Sequence, residues 1–153
     1  MAIARASDPL RGFKFQVVST KLGNLGFQKV SGLAIGNDMV EYREGTDVNT
    51  VRKLPGLATF DNVTFERGIG SASAVRDWMK EIVDIGNEIN LPADDEFRDQ
   101  ITIILTDHRG NGIHTYQLRE AWPVNLSIGD MDAESSDVII ETLEICHEGL
   151  SID

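Results

Sequence analysis

Hydrophobic and polar positions alternate with period two over residues 13–17, where Phe13, Phe15 and Val17 face one way and Lys14 and Gln16 the other. That is the pattern of a strand with one buried face. Residues 21–26, with two glycines and an asparagine, read as a hairpin connection, and residues 27–30 as an extended segment returning antiparallel to the first. Residues 58–67 form a weaker strand in which Phe60 falls out of phase with Val63 and Phe65, so a bulge is expected near Asp61-Asn62. The period then changes to that of a helix over residues 71–85: Val75, Trp78, Met79, Ile82 and Val83 make one apolar stripe. Ser71 or Ser73 is placed to cap its start and Gly86 to stop it.

Ile101, Ile103 and Leu105 alternate with Thr102 and Thr106, and a turn rich in Gly and Asn at residues 107–112 returns the chain as a partner strand over residues 113–118. Ala121-Trp122-Pro123 is expected to interrupt pairing, with a short strand to follow over residues 124–128. Residues 138–146 are mostly apolar on both faces, as for a strand in the middle of the domain, covered on both sides. Glu141 interrupts one of those faces and needs a partner if buried, for which Arg67 and Lys53 are both available. Together these elements predict a mainly β fold, an antiparallel β-sandwich or barrel flanked by one helix, with residues 1–153 forming a single domain and the first eight a flexible leader.

The stretch over residues 30–56 stands apart. It opens on Ser31-Gly32, alternates briefly over residues 39–44, with Glu41 and Arg43 on one side and Val40 and Tyr42 on the other, and closes on Leu54-Pro55-Gly56. Residues 45–53 are polar apart from two valines, which predicts an arm held up by two turns rather than a layer of the core. Excursions beyond about 12–15 residues are uncommon in small domains unless they are functional or disordered.

Composition narrows the partners. With 14 Lys and Arg against 25 Asp and Glu, the net charge of −11 argues against a chain that wraps nucleic acid, which needs a basic stripe. One cysteine, Cys146, excludes an internal disulfide framework and is expected to pack as a small hydrophobe. The first residues show no export signal, and no run of about 18 apolar residues offers a membrane anchor, so synthesis and first assembly in the cytoplasm are expected.

Chemistry is scarce. His108 and His114 flank the tight turn beside Asp107, but no third ligand stands at a metal-site spacing. Cys146 and His147 are adjacent and so point to opposite faces of a strand, which rules them out as a nucleophile–base pair. Gly68-Ile69-Gly70 before the helix lacks the further glycine and lysine of a phosphate cradle. The two acidic segments, residues 90–100 and 129–137, read as solvated loops or interface rims, and the alternation of Asp130, Asp132 and Glu134 in the second lacks an EF-hand's glycine and distal glutamate. Nothing supports an enzyme, and no cofactor or metal is expected.

The residues do resemble a family. Asp8-Pro9-Leu10 with Phe13, Phe15 and Val17; Val30-Ser31-Gly32-Leu33; Glu41-Tyr42-Arg43-Glu44-Gly45; Lys53-Leu54-Pro55-Gly56; Arg67-Gly68; Ala121-Trp122-Pro123; Ile140-Glu141-Thr142-Leu143-Glu144; and His147-Glu148-Gly149 come in the order seen in tail tube proteins of contractile phage tails and phage-tail-like injection systems. The resemblance runs over about residues 8–150, while Gly68-Ile69-Gly70 and the His108 hairpin have no place in it. It implies a structural subunit whose hexameric rings stack into a hollow tube, with sheets joined into a continuous barrel around a lumen.

In that case the partners are the chain itself, a sheath protein, baseplate or hub and tail terminator proteins, and DNA or protein cargo passing without tight binding. The arm, residues 31–57, would reach the adjacent ring, with Glu41, Tyr42, Arg43, Glu44, Lys53, Leu54 and Pro55 at the contact. Lumen-facing strand residues are expected to be polar or acidic, Thr102, Thr106, Thr115 and Gln117 first among them. The finished particle would be a virion tail or an extracellular injection particle. A tube initiator or terminator, a secretion-system tube subunit and a monomeric β-sandwich binding module are the alternatives.

Overall fold

The computed structural model describes residues 14–43, 45, 50–70, 73–87, 97–134 and 136–153. Its elements run β1 (Lys14–Ser19), β2 (Gly23–Gly26), β3 (Lys29–Ser31), β4 (Ile35–Tyr42), β5 (Arg52–Phe60), β6 (Val63–Gly68), α1 (Ala74–Gly86), β7 (Asp99–Thr106), β8 (Gly112–Ile128), β9 (Ile140–Cys146) and β10 (Gly149–Ile152). Eight strands pair in the order β2-β1-β7-β8-β9-β6-β3, with β10 also on β8, and β4 and β5 make a separate two-stranded ribbon. All the pairings are antiparallel. The fold is therefore mainly β with one helix, as the alternation predicts.

β8 belongs to both halves of this arrangement. Its first part pairs with β7 and, on its other side, with β10; from Trp122 onward it pairs with β9. The chain turns this corner through Glu120, whose φ of 51° is left-handed, where Arg119 and Glu120 together oppose Gln100. Two residues against one make a bulge, which bends a strand and lets it leave one sheet for another. The expected interruption at Ala121-Trp122-Pro123 is thus a bend inside one long strand. Pro123 is fully buried and tolerated because a second irregularity follows it, before Asn125.

Other expectations are corrected in the same way. The partner of β1 is β2, whereas residues 27–30 lead into β3, which pairs with β6 on the far side. The strand expected over residues 58–67 is two strands separated at Asp61-Asn62, one in the ribbon and one in the main sheet. β9 starts at Ile140, leaving Val138 65% exposed, and only its Glu141, Leu143 and Ile145 face is fully buried. The helix keeps its stripe only in part, since Val83 is exposed. Ser71 lies outside the described residues; Ser73 stands at the N-cap, where its hydroxyl donates to the Asp77 carboxylate at 3.1 Å, and Asn87 rather than Gly86 ends the helix.

The core gathers Val17, Phe65, Ile101, Leu118, Leu143 and Ile145 from the strands with Val75 and Trp78 from α1. Trp78 is anchored as well as buried, its indole Nε1 donating to the Phe97 carbonyl at 2.8 Å. Within this apolar interior lies one ion pair: Arg67 Nε donates to Glu141 Oε2 at 2.8 Å, both residues are buried, and the Arg67 guanidinium also lies over the Phe27 ring. Of the two partners available to Glu141, the register of β6 against β9 selects Arg67, placed directly opposite it. Removing one member of such a pair strands a charge, whereas replacing both by apolar groups of similar size is often neutral. Arg67→Met alone is expected to cost about 3–5 kcal/mol in urea unfolding, and Arg67→Met with Glu141→Leu to return close to the parent value.

Candidate assembly surface

β4 and β5 pair with each other over Ile35↔Phe60 to Tyr42↔Arg52 and with no other described strand. Every residue of both strands is exposed except Tyr42 and Phe60, which are half-buried. Isolated two-stranded ribbons are marginal in water, and this one is also greasy: Ile35, Met39, Val40, Leu54 and Leu57 are between 48% and 79% exposed. Covering half of one such side chain is worth roughly 1 kcal/mol, so burying all five is a substantial drive to associate. The arm is therefore not the polar loop expected for residues 30–56. Leu54-Pro55-Gly56 lies within β5 instead of closing the excursion, and Pro55 sits opposite Met39.

The register explains the disguise. Asn37 opposes Ala58 and Met39 opposes Pro55, so Gly56 and Leu57 together face Asp38. A Cβ on Gly56 would come within 2.9 Å of the Asp38 carbonyl oxygen, so this bulge needs a glycine. Beyond it Val40, Leu54, Tyr42 and Arg52 share one face, and Met39, Pro55, Glu41 and Lys53 the other, leaving apolar and charged groups on both.

The ribbon leaves the body between β3 and β6, which pair with each other. At its root Gly32 has φ of 90°, and any side chain there would collide with the Asn62 carbonyl. Asn62 Nδ2 donates to Glu144 Oε1 on β9 at 3.0 Å, tying the returning strand to the sheet.

A second surface is the outer face of β1, β7, β8 and β10. Thr102 opposes Gln117 and Ile104 opposes Thr115, while Gln16, Lys14 and Ser151 align with them from β1 and β10. Ile101, Ile103 and Leu118 point the opposite way, into the core. Gln100 Nε2 donates to Gln117 Oε1 at 3.1 Å, and Thr106 Oγ1 to the Lys14 carbonyl at 3.1 Å. The four residues predicted from sequence thus share one face, with Gln16 and Ser151 added. Its small polar groups are neutral, and the charges beside them are of both signs, Lys14 and Arg119 with Asp153, which pairs with Thr115.

Residues 11–151 match the family of the T4-like virus tail tube protein gp19. The chain belongs to that tail tube family. Among solved structures it is similar to a chain of the PVC sheath–tube complex of an extracellular contractile injection system in its extended state, with 27% identity, a TM-score of 0.77, and 97% of this chain and 93% of that one covered. A chain of the PVC sheath/tube terminator is 26% identical at a TM-score of 0.77, covering 97% and 99%. A chain of the anti-feeding prophage tube-terminating cap has the same TM-score at 24% identity, covering 99% and 95%. No curated protein sequence matches.

A tail tube protein works by assembling, so its functional residues are those it offers to its neighbours. Of the contact residues expected from sequence, Glu41, Tyr42, Lys53, Leu54 and Pro55 stand on the ribbon, Arg43 follows it directly, and Glu44 lies outside the described residues. Sequence reasoning missed Ile35, Met39 and Leu57, whose exposure is legible only once the ribbon has no layer beneath it. The turn after β7 is an Asx structure: Asp107 Oδ1 accepts from the Arg109 and Asn111 amides at 2.8 and 3.0 Å, and these bonds hold its carboxyl below the usual range. Burial pushes the Cys146 thiol up, which keeps it a packing residue. Gly56→Ala is expected to abolish NMR cross-strand contacts between Met39 and Pro55, with the body's unfolding free energy changed by no more than about 0.5 kcal/mol.

Proposed function

We propose that this chain, as one tube domain, is the repeating subunit of the inner tube of a contractile phage tail or phage-tail-like injection particle. Hexameric rings stack into a hollow conduit that a contractile sheath surrounds and that baseplate or hub and terminator proteins close. The observation that carries this reading is the β4–β5 ribbon, an apolar projection that no other described strand covers, on a member of a tail tube family. Obligate contacts of this kind typically bury more than about 2,000 Å² in total. The role is mechanical, and no catalysis or cofactor is part of it.

Two kinds of contact are needed, one closing each ring and one joining rings. The ring contact uses the edges left open by β2 and β10, where sheets of adjacent copies continue into one barrel. The ring-to-ring contact uses the ribbon, with Tyr42 and Leu54 as anchors and Glu41, Arg43 and Lys53 setting register. The face carrying Thr102, Thr106, Thr115 and Gln117 lines the lumen. Its mostly neutral groups give a polyanion few cations that could displace its condensed counterions, so DNA or protein cargo passes without sticking. Among the described residues no helix is long and apolar enough to cross a membrane. Assembly takes place in the bacterial cytoplasm, and the product is a virion tail or an extracellular particle.

A terminator ring is the second reading, supported by the equal TM-score of the terminator and tube chains. Electron microscopy of the purified chain separates them, since tubes support the first and isolated rings the second. Val40→Asp with Leu57→Asp places charges where apolar cover is required and is expected to raise the concentration needed for tube growth on the order of a hundredfold while rings persist. The ring edge has its own test. Asp153 and Thr115 exchange both backbone hydrogen bonds, so alternation turns the Ile152 N–H outward from β8. Ile152→Pro should leave a folded subunit that sediments as a monomer; hexamers from this variant would remove the β10 edge from the ring contact.

A further inference from the structure

A two-stranded ribbon with no layer beneath it takes its direction from its root. β4 has eight residues, which at roughly 3.4 Å each make a lever about 27 Å long, and a rotation of about 10° at the root moves the tip about 5 Å. That displacement equals the spacing between neighbouring strands, enough to lose a contact in the next ring altogether. Whatever holds the root therefore decides whether rings meet in register.

One residue outside the ribbon reaches that root from below. His147 follows β9, and its Nε2 lies 2.9 Å from the carbonyl oxygen of Asp61, at the point where the ribbon re-enters the body. A carbonyl oxygen only accepts, so Nε2 carries the proton. The same ring packs on Phe60, the last residue of β5, with centroids 5.7 Å apart and planes at 54°. The other ring nitrogen, Nδ1, is buried without a hydrogen-bond partner. Leaving a buried polar atom unpaired costs stability, and such a group in a native structure calls for an explanation.

We propose that His147 is a positioning residue for tube assembly: it grips Asp61 and Phe60 together and sets the angle at which the ribbon leaves the body. With Gly32 pressed against the Asn62 carbonyl and Asn62 tied to Glu144, it completes a clamp on the root. A side chain of another shape keeps at most one of its two grips. This rests on the proposed reading of the ribbon as the ring-to-ring contact.

The test uses the full chain carrying His147→Leu, His147→Gln or Phe60→Leu, with a ribbon truncation lacking residues 36–58 as control. His147→Leu is expected to melt within a few degrees of the parent and to form rings, yet to give tubes at least about tenfold shorter, or tubes of altered helical rise and twist, in electron micrographs. His147→Gln, whose amide still donates to the Asp61 carbonyl, is expected to recover part of the parent tube length, which a purely packing role would not explain. Phe60→Leu changes the grip from the ribbon side and is expected to shift the same helical parameters. Nitrogen NMR should show a proton held on His147 Nε2, with a coupling across the hydrogen bond to the Asp61 carbonyl. Parent tube length and helical parameters in both His147→Leu and Phe60→Leu would overturn the proposal. Tubes from the truncated chain would overturn the ribbon reading on which it rests, and that outcome is distinguishable because His147 is intact in the truncated chain.

Discussion

The bend that β8 makes between Glu120 and Pro123 governs the rest of this structure. By giving its first part to β7 and β10 and its second to β9, one seventeen-residue strand holds two halves of a sheet at an angle. One apolar core is built from both halves and from α1, with Ile101 and Leu118 from the first, Leu143 and Ile145 from the second and Trp78 from the helix. The same bend decides what stays outside: the edges of β2 and β10, the polar face around Thr102 and Gln117, and the ribbon inserted between β3 and β6. A left-handed non-glycine residue at the corner carries a small conformational cost, which the core on either side sustains.

Against this well-filled core the ribbon is an anomaly in energetic terms. Exposed apolar side chains scattered singly mean little, but five on one unsupported pair of strands mark an interaction surface. The body could fold without it, since the ribbon's hydrogen bonds close on themselves. Among the described residues nothing covers it, and the tail tube family to which the chain belongs consists of structural tube proteins. The buried Arg67–Glu141 pair plays a different part. It sits where β6 faces β9, and because burying both charges offsets much of their attraction it adds little net stability while being costly to break.

Much of this was legible in the chain. Alternation at Ile101 to Thr106 and the Gly and Asn turn after it place β7 and the first part of β8, and the helical stripe places Val75 and Trp78. What could not be read has physical causes. β3 has three residues, too few for a period, so its membership in the far sheet rests on pairing partners remote in sequence. Pro123 argues against a strand by its missing N–H, and only the neighbouring bulge reconciles the two. The ribbon reads as polar because the Gly56–Leu57 bulge breaks its alternation and because neither of its faces is buried among the described residues. Hydrophobic patterning reports burial within a subunit; where the partner is another copy, apolar and charged residues mix and the pattern fades.

The account stands on one geometric claim, that the β4–β5 ribbon is completed by the next ring of the same protein. A cryo-electron microscopy reconstruction of tubes grown from the purified chain tests it most directly. The ribbon should cross into the adjacent ring, with Met39, Val40, Leu54 and Leu57 covered there and Thr102, Thr115 and Gln117 facing the lumen. A reconstruction in which the ribbon folds back on its own subunit, or stays bare while the rings stack through other surfaces, would contradict it.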